Sequence, residues 1–225
     1  CGVTVVVDRA GLAGDDGASH NGMWDISLLH LVPRLRIAAP RDGERLRELL
    51  REAVAVTDAP TVVRYAKGAV PDPIHPVGTV GNADVLLECE DADVLIVAVG
   101  AMAPLALDTA HELQRRGLRV SVVDPRWLKP LDTELVLHAA KHHLVISVED
   151  NGVQGGFGST LLHALSDLGS STRVRIHGIR QEFLHHAQRN SLMQSMGLTP
   201  EHIADDAIAA LGLDVLGNTE VSEQR

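Results

Sequence analysis

A glycine-rich loop near the start of the chain carries the side chains best suited to chemistry. Residues 8–22, DRAGLAGDDGASHNG, hold Arg9, Asp16 and His20 among several glycines and directly follow an apolar run, GVTVVV. Glycines let a backbone approach a ligand closely, an arginine can bind an anion, and a histidine can move a proton near neutral pH. A lone loop histidine is more often an ordinary surface residue, and the loop by itself favours that interpretation.

Arg64 is a second candidate, because it ends a buried-looking strand in VVRYAKG. In open α/β sheets, ligands bind at the carboxyl ends of the strands, and both Arg9 and Arg64 fall at such an end. A burial-averse arginine needs an anionic partner there. That partner is either an anionic ligand or an acidic residue of the protein, and the residues alone leave the two alternatives equal.

Two further motifs follow strands. In DPRWLKPLD, two prolines fix a turn and Asp132 can cap the next helix, so a structural role is favoured for Arg126. In VEDNGVQGGFGS, residues 149–159 place glycines before a helix, which resembles an anion-binding turn. Its spacing matches neither a dinucleotide fingerprint nor a P-loop, and a glycine-rich loop at a domain contact is the preferred interpretation.

The elements that must position these residues alternate along the chain. Strands are predicted at residues 3–8, 35–39, 61–65, 94–99, 118–123, 144–148 and 174–176, and helices at residues 23–31, 41–56, 104–116, 132–141, 159–168 and 199–211. Asp42 and Thr199 are predicted helix N-caps. Strand–helix repetition with continuous apolar strands predicts α/β architecture, with two three-layer domains and mostly parallel sheets.

A segment rich in proline and glycine separates two blocks of this alternation. We predict a first domain at residues 1–70, a linker at 71–90, a second domain at 91–214 and a disordered tail at 215–225. The first block holds few elements for a core of its own. Together with a first residue, Cys1, that already belongs to a strand pattern, this predicts a chain cut from something longer.

Composition narrows the classes of function. The formal net charge of −10 argues against a nucleic-acid surface, which needs basic residues to neutralise phosphates. No apolar run is long enough to span a membrane and no signal peptide is found, so neither nucleic acid nor membrane is an expected partner. Two cysteines, Cys1 and Cys89, cannot form a disulfide framework, and we expect a cytoplasmic protein.

The motifs taken together resemble a known family. DRAG, DGxSHNGxWD, PRD, VRYxKG, DPRWLKPLD and VEDNGVxGGFGS, in this order across residues 3–213, resemble the C-terminal part of 1-deoxy-D-xylulose-5-phosphate synthases in the transketolase superfamily. The resemblance implies an incomplete thiamine pyrimidine-binding domain followed by a transketolase C-terminal-like domain. It also implies a homodimeric enzyme that uses thiamine diphosphate and Mg²⁺ to condense pyruvate with D-glyceraldehyde 3-phosphate, releasing CO₂, for isoprenoid and thiamine synthesis.

The same resemblance gives roles to four residues. Arg9 and Arg64 match the arginines that hold the phosphate of the aldehyde substrate. Asp16 matches the acidic residue that contacts the hydroxyl region of that substrate, and His20 matches the histidine near the reacting carbons. Charge-assisted bonds from two arginines suit a phosphate dianion, and with the motif series the functional interpretation of His20 becomes the favoured one.

Part of the family's machinery is not found in the chain. The Gly-Asp-Gly…Asn motif that binds the cofactor's diphosphate and Mg²⁺ is absent, and the activating glutamate is expected upstream of Cys1. We therefore expect no synthase activity from the chain alone. Two alternatives stay open: the β subunit of a 2-oxo acid dehydrogenase's decarboxylating component, and a catalytically silent module that dimerises or binds an anion.

Overall fold

The computed structural model describes residues 2–213, and these form two α/β units. The strands are β1 (Thr4–Val7), β2 (Arg36–Ala38), β3 (Thr61–Arg64), β4 (Gly78–Val80), β5 (Ala83–Leu87), β6 (Val94–Ala98), β7 (Val120–Asp124), β8 (Trp127–Lys129), β9 (Leu144–Gly152) and β10 (Arg173–Ile179). The helices are α1 (Asp25–Leu29), α2 (Gly43–Ala55), α3 (Ala103–Arg115), α4 (Thr133–Ala139), α5 (Phe157–Asp167), α6 (Arg189–Ser195) and α7 (Pro200–Leu211). We call residues 2–73 the first unit and residues 78–213 the second unit.

Each unit contains one sheet. The four-stranded sheet has the order β1-β3-β2-β8, and the six-stranded sheet has the order β10-β9-β6-β7-β5-β4. Pairs β1/β3, β2/β3, β6/β7, β6/β9 and β9/β10 are parallel, whereas β2/β8, β4/β5 and β5/β7 are antiparallel. Parallel strands place the carboxyl ends of β1 and β3 side by side, since Val7 is in register with Arg64.

The predicted helices and strands are all present, and their caps have the expected chemistry. The Asp42 carboxylate accepts from Arg45 N at 2.8 Å and begins α2, and the Asp132 carboxylate accepts from Glu134 N at 2.8 Å and begins α4. Thr199 Oγ1 accepts from the backbone N–H of residue 202 at 3.3 Å and begins α7. A side-chain acceptor at this position satisfies a helical N–H that has no backbone partner.

The segment predicted as a linker differs from that expectation. Within residues 71–90, β4 and β5 form an antiparallel hairpin that joins the six-stranded sheet through β7. The many glycines and prolines masked the short strands, because the three residues of β4 are too few to show a period. Strand β8 was also missed, and it leaves the second unit to pair with β2 of the first. The predicted tail at 215–225, like residue 214, lies outside the described residues.

The two units share one apolar core. Ile37 and Val62 from the four-stranded sheet are buried together with Leu128 and with apolar residues of β6, β7, β9 and α5. A second cluster covers the other face of the six-stranded sheet beneath α3 and α7. Because the shared core spans both sheets, the first unit cannot move away without exposing apolar surface. No helix among residues 2–213 has the length and apolar character needed to cross a membrane.

A buried arginine joins the two units by charge. The Arg41 guanidinium, in the first unit, donates to Asp84 Oδ2 at 2.5 Å and to Asp124 Oδ2 at 2.7 Å, both in the second. It also donates to the carbonyl oxygen of Ile74 at 2.7 and 3.0 Å. Burial raises the pKa of Asp124 to about 6, against the opposing effect of Arg41. The Asp124 carboxylate therefore depends on this arginine to stay ionised at neutral pH.

Replacing Arg41 with methionine should destabilise the protein strongly. The change leaves Asp124 buried without a cation and leaves Asp84 with Arg45 alone, at 2.7 Å. Breaking a buried ion pair costs about 3–5 kcal/mol. The free energy of unfolding, measured by urea denaturation, tests this. Arg34→Met is the matched control, since Arg34 pairs with Asp58 on the surface and should lose no more than about 1 kcal/mol. Equal losses in both variants would contradict the assignment.

Candidate active site

The loop at residues 8–22 begins at the carboxyl end of β1 and is closed at its base. Gly11 and Gly22 exchange backbone hydrogen bonds of 2.9 and 2.8 Å, and Ala10 N donates to the Tyr65 carbonyl oxygen at 2.9 Å. Arg9 has a φ of +58°, a left-handed conformation that costs a non-glycine residue roughly 1–2 kcal/mol. These contacts hold the strained residue in place and direct the loop away from β1.

An exposed charge cluster forms between this loop and Lys67, which follows β3. Asp16 Oδ2 is 2.6 Å from Lys67 Nζ and 3.5 Å from Arg9 Nη1. The side chains of Arg9 and Lys67 are 49% and 41% exposed, so both cations are open to a solute. The hydrogen bond from Lys67 lowers the pKa of Asp16. Two cations around one carboxylate form a site where an anion can replace or join the carboxylate.

Lys67 was missed by the reasoning from sequence. It stands three residues beyond Arg64 in VRYAKG, and its only signal was a position just after the carboxyl end of β3. Arg64 ends the predicted strand and Lys67 lies in the loop after it, and the phosphate-binding role was assigned to Arg64. Loop lysines are common on protein surfaces, so the pattern alone could not single this one out.

His20 lies on the same loop and is exposed. Its Nδ1 is 3.0 Å from Ser19 Oγ, and its charge contributes to the lowered pKa of Asp16. The structure therefore places Arg9, Asp16 and His20 on one loop and brings Lys67 beside Asp16. The roles of these residues stay predictions. An exposed imidazole beside an anion-binding cluster can exchange a proton with a bound molecule.

Arg64 does not join this cluster, and its phosphate-binding role stays a prediction. Its side chain is 5% exposed, Nε donates to Asp25 Oδ2 at 2.6 Å, and Nη2 donates to Asp25 Oδ1 at 3.1 Å. Nη2 also donates to the Asp150 carbonyl oxygen at 2.9 Å. Nε and Nη2 of the guanidinium are thus bound to protein oxygens. The sequence left open whether the anionic partner of Arg64 is a ligand or an acidic residue of the protein. In the structure, this partner is Asp25.

Residues 149–159 form a structural helix start. The buried Glu149 carboxylate accepts from the backbone N–H groups of Phe157 and Gly158 at 2.8 and 3.0 Å. A side chain at Gly156 would collide with this carboxylate, which explains the glycine. The N-terminus of α5 thus binds the Glu149 carboxylate of the protein itself. The turn is therefore not open to an external anion. Burial raises the pKa of Glu149 to about 7, against the effect of these two N–H donors.

Arg126 also has a structural role. It has a φ of +59°, and its guanidinium contacts Glu48 and Glu52 of α2. Trp127 Nε1 donates to Glu52 Oε2 at 2.7 Å. The DPRWLKPLD motif therefore attaches the second unit to α2, as the preferred interpretation held. Within residues 2–213, no group of three or more His, Cys, Asp or Glu side chains is arranged to hold a metal ion.

Fold and site together define a transketolase-type protein. The chain belongs to the transketolase family: the pyrimidine binding domain of transketolase matches residues 1–73, and the transketolase C-terminal domain matches residues 83–203. Similar solved structures include a split-gene transketolase, an inactive β4 tetramer, with a TM-score of 0.81 and 29% identity over 94% of this chain and 67% of that one. The predicted fold class is confirmed.

Curated relatives narrow the resemblance within the family. The chain is 55% identical over 209 residues to 1-deoxy-D-xylulose-5-phosphate synthase 2 of Kitasatospora griseola, covering 90% of this chain and 33% of that protein. It is 52% identical over 206 residues to the synthase 2 of Streptomyces avermitilis, covering 91% of this chain and 32% of that protein. The predicted resemblance is confirmed, and the chain spans about a third of the length of these relatives.

The raised pKa of Glu149 predicts a pH dependence of stability. A carboxyl that binds its proton more tightly when folded stabilises the fold below its unfolded pKa, near 4.5, and loses that contribution as the pH rises through about 7. The free energy of unfolding, measured by urea denaturation, should decline between about pH 4.5 and about pH 8. Glu149→Gln should make this decline smaller by up to roughly 3 kcal/mol. Glu201→Gln, an exposed acid at the start of α7, is the control and should leave the profile unchanged.

Proposed function

We propose that the chain forms the acceptor-binding part of a 1-deoxy-D-xylulose-5-phosphate synthase. The reaction condenses pyruvate with D-glyceraldehyde 3-phosphate and releases CO₂. The observation that carries the proposal is the exposed cluster of Arg9, Lys67 and Asp16 at the carboxyl ends of two parallel strands. The identity to synthases of this name supports it.

The phosphate of the aldehyde substrate is the anion that suits this cluster. Arg9 offers a planar fork for two phosphate oxygens, and Lys67 offers a compact point charge. When phosphate binds these cations, the Asp16 carboxylate is released to accept a hydrogen bond from the substrate's hydroxyl group. Fixing the distal phosphate orients the aldehyde carbon for bond formation. Lys67 is thus proposed as a second phosphate-binding cation beside Arg9, the role that the resemblance gives to Arg64.

His20 is proposed as the proton donor. Formation of the carbon–carbon bond converts the aldehyde oxygen into an alkoxide, which needs a proton. An imidazole on the same loop as Arg9 and Asp16 can supply it without moving another element. Its exposure lets the ring take a new proton from solvent between turnovers.

The cofactor requires separate treatment. Thiamine diphosphate, when bound, supplies the electron sink for the loss of CO₂ from pyruvate. Among residues 2–213, no group of three or more His, Cys, Asp or Glu side chains is arranged to hold its Mg²⁺. The two open cations suit one phosphate group. A homodimer, Mg²⁺ and a cytoplasmic location stay predictions.

The open cations separate this proposal from the alternatives. A dehydrogenase β subunit would receive a lipoyl arm, which has no phosphate to occupy Arg9 and Lys67. A silent module that only binds anions would use the same cations but would not need His20. The following two experiments distinguish these functions.

Lys67→Met should weaken binding of the phosphorylated aldehyde selectively. Loss of one charge-assisted contact should raise the KM for D-glyceraldehyde 3-phosphate by roughly 10–100-fold, while the KM for pyruvate stays unchanged. Steady-state kinetics of the complete enzyme measure both. Lys141→Met removes an exposed lysine from the second unit and serves as the control. An equal rise in both KM values would exclude a phosphate-binding role for Lys67.

His20→Gln should lower kcat by roughly 10²–10⁴-fold, the usual contribution of a general acid or base. Glutamine keeps hydrogen-bonding capacity but cannot donate a titratable proton, so both KM values should change little. The matched control is His163→Gln, which removes an exposed histidine of α5 that pairs with Asp167. Unchanged turnover in His20→Gln would leave the histidine without a catalytic role.

A further inference from the structure

We infer that Asp150 and Arg189, both in the second unit, position the candidate acceptor loop by binding the backbone of Leu12. The inference rests on the proposed function, because it assigns the two residues to the same acceptor site. They are positioning residues, since they act on the substrate through the loop. The second unit would then be required for the geometry of a site whose charged side chains all belong to the first.

The contacts form a closed ring around one residue of the loop. Asp150 Oδ1 accepts from Leu12 N at 2.9 Å, and Arg189 Nη1 donates to the Leu12 carbonyl oxygen at 2.7 Å. The ring closes through an ion pair of 2.7 Å between Arg189 Nη2 and Asp150 Oδ2. A carboxylate and a guanidinium thus hold both polar groups of a single peptide residue, which fixes the position and the orientation of the loop there.

Close packing allows this arrangement and makes it rigid. Gly11 has a φ of +78°, and a side chain at this position would collide with the Asp150 carboxylate. Leu12 itself is fully buried, in a cluster with Met23 of the loop's far end and with Ile179, Leu184 and Leu192 of the second unit. The loop therefore meets the second unit through an apolar contact and a charged contact at the same residue.

The fixed residue lies just before the charged cluster. A 3-10 turn follows at Gly14–Asp16, and Asp15 Oδ1 accepts from Gln188 Nε2 at 3.1 Å. Residues 12 and 15 are therefore both held by the second unit. Asp16, next in the chain, is the carboxylate between the two open cations. Arg189 of the ring and Lys67 of the proposed phosphate site also line the same cavity.

Burial makes the ion pair sensitive to substitution. The Asp150 side chain is 4% exposed and that of Arg189 is 24% exposed. Loss of either partner leaves a charge with little solvent, which favours rearrangement of the groups bound to it. Because Leu12 is bound to both partners, the loop is the part of the molecule that must rearrange. The expected consequence is a less organised site for the phosphorylated substrate, with no effect on groups elsewhere.

The test compares Arg189→Met, Arg189→Lys and Asp150→Asn in the complete enzyme. Arg189→Met should raise the KM for D-glyceraldehyde 3-phosphate and the inhibition constant of inorganic phosphate by roughly tenfold each. The KM for pyruvate should stay within about twofold. Arg189→Lys keeps the charge but lacks the fork, and Asp150→Asn keeps one acceptor, so both should show intermediate effects. Arg119→Met, which removes the half-exposed pair with Asp93, is the control and should change neither constant.

Hydrogen exchange provides a readout that a general loss of stability would not give. The Leu12 amide should exchange at least about tenfold faster in Arg189→Met, while amides in β6 and β9 keep their protection. In an Arg9→Met background, where the loop has already lost its phosphate-binding cation, Arg189→Met should add less than about twofold to the KM for the aldehyde. If Arg189→Met does not fold, Arg189→Lys carries the same tests.

Opposite results would overturn the inference. These are an equal rise in the KM for both substrates, an unchanged Leu12 amide, or a loss of thermal stability with unaltered binding constants. The proposed function fails separately, through an unchanged KM for the aldehyde in Lys67→Met. In that case, hydrogen exchange of the Leu12 amide still tests whether Asp150 and Arg189 hold the loop. An unaltered exchange rate in Arg189→Met would contradict that role too.

Discussion

Buried charge must be paired, and this requirement is met mainly at the boundary between the two units. The guanidinium of Arg41 joins carboxylates of the second unit, and that of Arg189 joins Asp150 beside the loop of the first. An unpaired charge in such a position costs several kcal/mol, so the pairs fix how the units dock. The shared apolar core supplies the driving force for docking, and the ion pairs select one arrangement.

The same requirement separates structural arginines from functional cations. Arg64 is buried, and its Nε and Nη2 donors are already bound to two carboxylate oxygens and a carbonyl oxygen of the protein. Arg9 and Lys67 share one partly exposed carboxylate, and each keeps donors that face solvent. Exposure and incomplete pairing, more than residue type, identify the cations that can meet a phosphate. The proposed function rests on this difference, because a phosphate clamp needs donors that are free to change partners.

The sequence predicted the α/β class, the parallel pairing and three helix caps. Apolar runs and caps are local signals, and residues 94–98 and 199–211 show them clearly. The hairpin of β4 and β5 was not predicted, because strands of three and five residues among glycines carry little periodicity. Lys67 was missed because a loop lysine has no local signature. The pairing of Arg64 with Asp25 was not predicted, because the two residues are 39 positions apart in the chain.

By itself the sequence determined the elements and the loop that could do chemistry, since hydrophobic period, capping and glycine content act over a few residues. The motif order also determined the family to which the chain is similar. Only the tertiary structure decided which charges face solvent and which face each other. Asp16 and Lys67 are 51 residues apart, and Leu12 and Arg189 are 177 residues apart. Pairings over such separations are set by the docking of whole sheets and helices, which no local pattern encodes.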